Sequence, residues 1–313
     1  MKHTFSLLLL FLSTFLVAQT EKFSKEELVI NPLIKGDLYT SKINNTKQTL
    51  VILIAGSGPT NRNGNQIGMQ NNSLKYLAED LSSNGYSVFS YDKRVIAQII
   101  AGNINESEGR FEDLIEDAVS VYDYFKKNNL FTKIVFAGHS EGSLVGMIAS
   151  EKTKAAAYIS IAGTGRTIDQ VLVEQIAKQM PSYKEKTAEY LATLKKGQTI
   201  KDAPPALQSL FRESVQPYII SWMKYNPQDE IQKLKCPVLL LNGDKDLQVE
   251  PKEAHLLHSV KKEAEILIIE NMNHVFKNIA TDEKENMESY SNPNLRNHPK
   301  LSEVIVAFLN KKV

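Results

Sequence analysis

The sequence has one cysteine in 313 residues, and its charges nearly cancel, with 37 Lys and Arg against 36 Asp and Glu. A single thiol excludes a disulfide framework, and we expect Cys236 to be a small buried apolar residue at the start of a core strand. Balanced charge argues against nucleic acid or an anionic surface as a partner. The sequence also lacks a His, Cys and Asp cluster with the spacing of a zinc site.

The first 18 residues have the pattern of a secretory signal peptide. A short positive start with Lys2 precedes an almost wholly apolar run over residues 5–17, and Ala18 offers a small residue for cleavage. The run is too short and poorly flanked for a spanning helix, and no nearby cysteine could carry a lipid. We expect cleavage after Ala18 and a secreted or periplasmic mature protein with no membrane partner. The alternative is an uncleaved membrane anchor.

Residues 133–142 read K-I-V-F-A-G-H-S-E-G, which contains a G-x-S-x-G motif. The apolar run over residues 134–137 is typical of a strand buried on both faces, and the small apolar residues 143–149 predict a closely packed helix. A sharp strand-to-helix turn between them would hold Ser140 above the sheet edge as an exposed nucleophile. The alternative is a glycine-rich turn with a surface serine.

A serine nucleophile needs a base, and the base needs an acid that orients it. On this kind of elbow the acid follows the serine in the chain and the histidine follows the acid. Asp244 and Asp246 both come after an apolar strand that ends at Gly243. We favour Asp246 as the acid, because its loop can bend back over the sheet. We expect Asp244 to form an Asx turn or a helix cap.

His274 follows a second late strand at residues 266–269 and comes after the acid, so it is our candidate for the base. The other histidines fit the role less well. His139 lies within the elbow, and its side chain is expected to point away from the base. The remaining three outside the signal segment are placed on a polar helix or near the C-terminus: His255, His258 and His298.

An oxyanion hole requires two backbone N–H groups that point at the developing negative charge. One should belong to Glu141, directly after the nucleophile. The other should belong to the loop after a strand at residues 50–54, where Gly56 and Gly58 flank Ser57. We choose the Ser57 N–H, with Gly58 as the second candidate. A phosphate-binding loop is excluded, because neither a P-loop lysine nor the third glycine of a dinucleotide fold follows.

Alternating strand and helix patterns predict an α/β fold, a mostly parallel sheet flanked by helices, opened by an antiparallel pair within residues 27–39. A strandless stretch, residues 164–232, is predicted to be a helical cap on a core of residues 19–163 and 233–313. Its helices are expected at 171–180, 184–195 and 205–225, the last with a bend at Pro217. Residues 278–297 are polar and predicted to be an irregular flexible loop beside His274. Apolar residues of the predicted cap are candidates for the lining of an acyl pocket, and the alternative is that they only pack the cap onto the core. They include Leu210, Phe211, Tyr218, Ile219, Trp222 and Met223.

Five motifs in this order resemble secreted bacterial alpha/beta hydrolases of the esterase and serine-aminopeptidase-like type. The motifs are A-G-S-G-P-T-N-R-N-G-N at 55–65, Y-D-K-R at 91–94, G-H-S-E-G at 138–142, G-D-K-D at 243–246 and N-H at 273–274. The resemblance implies the alpha/beta-hydrolase fold and hydrolysis of carboxylic esters by Ser140, Asp246 and His274. Related sequences usually carry Asp at positions 61 and 63 and Gly at 95, so an Asp–Arg contact near the oxyanion loop is expected to be weaker here.

The leading functional prediction is therefore an esterase that forms an acyl-enzyme and acts on a small-molecule ester without a cofactor. Two alternatives keep the fold, namely an aminopeptidase-like amidase and an acyltransferase. An amidase of that kind would need an acidic patch for a substrate amine, and the sequence does not identify one. A third alternative is a non-catalytic binding protein, although every member of the predicted triad is present.

Overall fold

The computed structural model describes residues 21–43 and 49–313, so the predicted signal peptide lies outside the described residues. In the described part, eight strands form one sheet in the order β1-β2-β4-β3-β5-β6-β7-β8. The strands are β1 (Phe23–Asn31), β2 (Ile34–Ser41), β3 (Thr49–Ile54), β4 (Ser87–Tyr91), β5 (Lys133–His139), β6 (Ala157–Ile161), β7 (Val238–Gly243) and β8 (Glu265–Ile269).

The sheet is antiparallel at one edge and parallel elsewhere. Strand β2 pairs antiparallel with β1 and β4, and the remaining neighbours pair parallel. The register of β3 on β5 runs from Thr49 opposite Lys133 to Ile54 opposite Gly138. The predicted α/β fold with an opening antiparallel pair is confirmed. Parallel strands bring their carboxyl ends to one edge, which is where ligands bind in such sheets.

Twelve α-helices are described. Those outside the segment between β6 and β7 are α1 (Ser73–Ser82), α2 (Arg94–Ala101), α3 (Phe111–Lys127), α4 (Glu141–Thr153), α10 (Pro251–Val260), α11 (Glu283–Ser289) and α12 (Pro299–Lys312). Both ends of helix α3 have side chains that stabilise a helix terminus. The Asp113 carboxylate accepts a hydrogen bond from the Arg110 N–H at the start of the helix, and Lys126 and Lys127 lie in its last turn.

The apolar core consists of two clusters, one on each face of the sheet. Strand β3 contributes to both, because Leu50 and Ile52 face one cluster and Val51 and Leu53 face the other. The first cluster includes side chains of α3 and α4, and the second includes side chains of α1 and α12. Burial of strands on both faces explains their continuous apolar runs, since neither face meets water.

The segment between β6 and β7, for which a cap was predicted, is helical. It contains α5 (Ile168–Gln179), α6 (Lys184–Lys195), α7 (Gln208–Phe211), α8 (Gln216–Trp222) and α9 (Pro227–Lys233). The prediction of one bent helix over 205–225 was wrong, because short 3-10 turns at Pro205–Leu207 and Glu213–Val215 interrupt it. Pro217 does not bend a helix but lies in the first turn of α8, where its missing N–H costs no hydrogen bond.

Two smaller expectations also need correction. Residues 278–297 are not simply irregular, because they contain α11, whose Asn286 and Ser289 are buried. Cys236 is not fully buried but half-buried, and it packs against the edge of the first cluster. It lies two residues before β7, where the chain has not yet entered the sheet.

Candidate active site

Ser140 lies on a strained turn between β5 and α4. Its backbone angles are φ 53° and ψ −119°, in a region that residues with a side chain rarely adopt. The Ser140 N–H donates to the carbonyl of Ile161 at the end of β6, over 2.9 Å, which anchors the turn to the neighbouring strand. The predicted strand, sharp turn and helix are therefore all present around this serine.

The two glycines of the elbow are required by contacts with backbone atoms. A Cβ atom on Gly138 would lie 2.0 Å from the carbonyl oxygen of Gly142. A Cβ atom on Gly142 would lie 2.4 Å from the carbonyl oxygen of Ile54. Both distances are far below van der Waals contact and neither neighbour is a flexible side chain. The elbow therefore packs backbone to backbone against the end of β3.

Asp246 and His274, 28 positions apart in the sequence, are hydrogen-bonded to each other. His274 Nδ1 lies 2.8 Å from Asp246 Oδ2, and both side chains are buried. The other carboxylate oxygen, Oδ1, accepts the backbone N–H groups of Gln248 and Val249, each over 2.8 Å. A carboxylate can only accept from Nδ1, so the proton of neutral His274 lies on Nδ1 and Nε2 is left as the ring's acceptor.

Asp244 has a structural role, but it is neither the Asx turn nor the helix cap that was expected, because its partner lies 27 positions away in the chain. Its side chain is exposed, and its Oδ1 accepts the backbone N–H of Asn271 over 2.6 Å. It thereby ties the loop after β7 to the loop after β8. Asp246 is the acid of this pair that contacts the histidine.

The expectation that His139 points away from the base was wrong. The centroids of the His139 and His274 rings are 4.7 Å apart, and His139 Nε2 lies 2.9 Å from the carbonyl oxygen of His274. Burial, reinforced by His274, lowers the pKa of His139 well below its ordinary value, so the ring is neutral. Its proton therefore lies on Nε2, where it donates to the His274 carbonyl. His139 therefore packs against His274 and binds the backbone of its loop.

Ser140, His274 and the loop after β3 line one cavity of about 480 Å³. Gly56, Ser57 and Gly58 form part of its wall, and so does Glu141. Glu141 begins α4, and the first N–H groups of a helix have no partner within the helix. Both segments chosen as oxyanion donors therefore reach the cavity that holds the serine.

Four of the six cap residues named from the sequence line this cavity: Leu210, Tyr218, Ile219 and Trp222. Phe211 is buried without lining it, and its ring packs against Tyr190 with the centroids 5.2 Å apart. From α5, Ile168, Val171 and Leu172 add further apolar wall. The cavity is thus enclosed by polar loops at the sheet edge and by an apolar surface from the cap segment.

Sequence reasoning missed a buried ion pair formed by Lys93 and Glu141, the residue after Ser140. Lys93 Nζ lies 2.6 Å from Glu141 Oε2 and 3.1 Å from the carbonyl oxygen of Gly56. The Tyr218 hydroxyl donates to the other oxygen, Glu141 Oε1, over 2.6 Å. Burial and Glu141 raise the pKa of Tyr218 well above its ordinary value, which keeps its proton available to donate. The Y-D-K-R motif was the available signal, because it places a lysine two residues after a buried strand.

A weaker Asp–Arg contact was expected near the oxyanion loop because Asn61 and Asn63 lie where related sequences usually carry Asp. Asn61 Oδ1 accepts the backbone N–H groups of Asn63 and Asn65, which shapes the loop itself. Arg62, between them, is buried and makes a two-point contact with Asp92, with Nη2 2.7 Å from Oδ2. Arg62 Nη1 also lies 2.6 Å from Asp37. The arginine of this loop is therefore held by acids outside it.

Within residues 21–43 and 49–313, no group of three or more His, Cys, Asp or Glu side chains is arranged to hold a metal ion. In the same ranges, none of the helices combines the length and the apolar character needed to cross a membrane.

The chain is similar to one family of hydrolases and to known esterases. The model of the serine aminopeptidase family S33 matches residues 67–278, more than half of the chain. The esterase EstD of Thermotoga maritima is 25% identical over 268 residues, which cover 82% of this chain and 60% of that esterase. The chain therefore spans about 60% of the length of this curated relative.

Two solved structures share the fold. Est1E from Butyrivibrio proteoclasticus superposes with a TM-score of 0.57 at 17% identity, covering 91% of this chain and 99% of Est1E. The Pyrococcus furiosus esterase Pf2001 has a TM-score of 0.55 at 15% identity, covering 93% of this chain and 91% of its own. The chain belongs to the serine aminopeptidase S33 family and has the alpha/beta-hydrolase fold.

Proposed function

We propose that the protein is a serine hydrolase that cleaves carboxylic esters through an acyl-enzyme on Ser140. The observation that supports the proposal most is the contact between His274 Nδ1 and Asp246 Oδ2, which are 2.8 Å apart. His274 lines the same cavity as Ser140. A nucleophile on a strained elbow, an imidazole with Nε2 free to accept, and a buried carboxylate behind it are the parts of a catalytic triad.

In this mechanism the Ser140 hydroxyl oxygen attacks the ester carbonyl carbon while His274 Nε2 takes its proton. The carbonyl oxygen becomes an oxyanion, which the N–H groups of Ser57 and Glu141 stabilise. Collapse of the intermediate breaks the bond to the alcohol oxygen, and His274 returns the proton to that alcohol. Water then attacks the acyl-enzyme by the same route and releases the acid and free Ser140. Asp246 stabilises the imidazolium in both halves.

An ester is favoured over an aminoacyl amide by the state of the acid in the cavity. Glu141 is the acidic side chain among the described residues that line it. Its two carboxylate oxygens are already bound, one by Lys93 and the other by Tyr218. A substrate ammonium group would have to displace a buried ion pair to reach it, which is costly. The apolar cap surface suits an acyl or alkyl chain instead. EstD, the relative compared above, is named an esterase.

The test is direct. Purified mature protein should hydrolyse p-nitrophenyl esters faster than aminoacyl p-nitroanilides, and a fluorophosphonate probe should label it. Ser140→Ala should abolish both labelling and turnover while the folded-state circular dichroism is unchanged. A folded wild type that neither labels nor hydrolyses any short, medium or long acyl ester would refute the proposal and favour a binding protein. Faster cleavage of anilides would replace the esterase by an amidase.

We also propose that the protein is exported and cleaved after Ala18, on the basis of the N-terminal pattern alone. Expression in a bacterial host followed by N-terminal sequencing of the extracytoplasmic protein tests this. An N-terminus at Gln19 is expected, and an uncleaved, membrane-bound product would contradict it.

A further inference from the structure

Lys93 contacts the peptide group that carries one of the proposed oxyanion donors. Its Nζ lies 3.1 Å from the carbonyl oxygen of Gly56, and that carbonyl shares one peptide unit with the N–H of Ser57. No cis peptide bond occurs in the described residues, so this peptide is trans and planar. In a trans peptide the C=O and N–H point in opposite directions. Whatever fixes the Gly56 oxygen therefore fixes the direction of the Ser57 N–H.

The same amino group is held by the residue that carries the other donor. Lys93 Nζ and Glu141 Oε2 are 2.6 Å apart, and both side chains are buried, with relative exposures of 9% and 2%. Glu141 supplies its own backbone N–H from the first turn of α4. One buried ammonium group thus bridges the loop after β3 and the elbow after β5. From the cap segment, Tyr218 binds the remaining oxygen of Glu141.

We propose that Lys93 and Glu141 are positioning residues for the oxyanion hole. Their ion pair orients the Gly56–Ser57 peptide relative to the first turn of α4, and Tyr218 makes that orientation depend on the cap being seated. The positive charge of the Lys93 ammonium group beside the Gly56 oxygen also polarises the peptide, which makes the Ser57 N–H a stronger donor. This inference rests on the proposed ester hydrolysis, since an oxyanion forms only if Ser140 attacks a carbonyl.

The primary test is Lys93→Met in the mature protein, which keeps the length of the side chain and removes its donors. We expect kcat for a p-nitrophenyl ester to fall by about 10- to 100-fold with KM changed by less than about threefold, because a misplaced donor is felt in the transition state. Lys261→Met is the matched control. Lys261 is likewise buried, donates to the Leu234 carbonyl over 2.6 Å and pairs with Glu263 over 2.7 Å. It is absent from the cavity lining, and its loss should leave kcat within about twofold.

A second readout separates positioning from a general loss of folding. An aryl trifluoromethyl ketone forms a tetrahedral adduct with the serine and needs the oxyanion hole, whereas an ether analogue of the substrate, with CH2 in place of the carbonyl, has no oxygen there to bind it. In Lys93→Met, inhibition by the ketone should weaken by the same factor as kcat/KM, while inhibition by the ether analogue is unchanged. Equal weakening of both inhibitors would overturn the proposal. An inactive wild type would instead refute the proposed function, and the two failures are thereby distinguishable.

Lys93→Met leaves the Glu141 carboxylate buried without its cation, so a double variant is needed. Combining it with Glu141→Gln removes the unpaired charge and should recover thermal stability, but the Gly56 carbonyl still lacks the Lys93 donor and keeps only the long contact of 3.5 Å from the Thr60 hydroxyl. The double variant should therefore stay as slow as Lys93→Met. Recovery of the wild-type kcat would overturn the proposal, because the loss would then come from the stray charge alone.

The link to the cap is tested with Tyr218→Phe, which removes only the hydroxyl. We expect a fall in kcat smaller than that of Lys93→Met, because the carboxylate is released but the peptide is still held. Tyr190→Phe is the control, since Tyr190 is a buried cap tyrosine whose hydroxyl lies 3.4 Å from the Asp202 carbonyl and which does not line the cavity. Equal effects of the two cap variants would overturn the role given to Tyr218.

Discussion

Replacing Asp246 by Asn should disable the base without disturbing the loop that carries it. Asp246 Oδ1 accepts two backbone N–H groups, those of Gln248 and Val249, and Oδ2 accepts His274 Nδ1. An asparagine can keep only one of these two arrangements. If its oxygen takes the place of Oδ1, both backbone bonds survive and its NH2 group faces His274 Nδ1. If it turns round, two N–H groups, the half-buried one of Gln248 and the buried one of Val249, lose their acceptor.

The magnitudes decide between the two orientations. Two orphaned backbone N–H groups would cost about 2–6 kcal/mol, at about 1–3 kcal/mol each. Keeping them bound instead forces the imidazole to accept at Nδ1 and to carry its proton on Nε2, where it cannot take a proton from Ser140. A wrong tautomer of this kind lowers kcat by about 10⁴-fold in the best-studied triad. We therefore expect a loss of about 10³- to 10⁴-fold, which is about 4–5.5 kcal/mol in the barrier.

The assay is kcat on a p-nitrophenyl ester, with thermal melting as the measure of folding. Asp244→Asn is a close control, because Asp244 lies two residues earlier and its Oδ1 can be replaced by an amide oxygen that still accepts the Asn271 N–H. That variant should retain kcat within about twofold. If Asp246→Asn keeps more than a tenth of the wild-type kcat, Asp246 does not set the tautomer of His274 and the reasoning fails.

Two predictions concern stability. Burial, with a smaller effect of Arg296, lowers the pKa of Lys277 from 10.5 to about 7. Between pH 7 and 10 the unfolded chain still binds this proton and the folded chain does not. The free energy of unfolding should therefore rise by about 1–2 kcal/mol from pH 7 to 9, relative to that of Lys277→Met. Urea titrations in which the difference in stability between wild type and Lys277→Met is the same at both pH values would contradict this. Gly142→Ala should destabilise by about 3 kcal/mol or more in urea unfolding, since its Cβ would lie 2.4 Å and 2.5 Å from two carbonyl oxygens. Gly109→Ala, with φ −61° and its nearest neighbour at 3.3 Å, should change stability by less than about 1 kcal/mol, and equal losses would refute the packing argument.

The strands and the elbow were predictable because their signals are local. A parallel strand buried on both faces is a continuous apolar run, and β5 and β7 are such runs. The elbow adds two glycines at fixed spacing. The same reasoning gave no helix for α2, in which no residue is fully buried, so its contacts impose little on its sequence. The prediction of one helix over residues 205–225 failed for a related reason. Short turns and helices that cover a cavity have the same content of apolar residues as one longer helix, so that content does not distinguish them.

The contacts between loops were not predictable from local pattern. Lys93 and Glu141 are 48 positions apart, and Arg62 and Asp92 are 30 apart. Nothing in either member's neighbours names its partner, because the pairing is decided by which strands lie next to each other in the sheet. His139 was misplaced for the same reason. Its ring direction depends on where the loop after β8 passes, and β8 ends at Ile269, 130 positions after His139.

Charged residues are buried around this site because the site is built from loops. Loops at the carboxyl edge of the sheet bring backbone carbonyl and N–H groups into the interior, where no strand or helix ladder is available to pair them. An apolar residue could fill the same space but would leave these groups unsatisfied. Lys93 has donors enough to bind the Gly56 carbonyl and Glu141 together, and Asp246 has oxygens enough to bind two N–H groups and His274. A buried ion pair is a poor source of stability in itself. Here Lys93 and Asp246 each satisfy a loop backbone and a functional side chain at once, and this is why these two buried charged residues lie at the proposed oxyanion hole and the proposed triad.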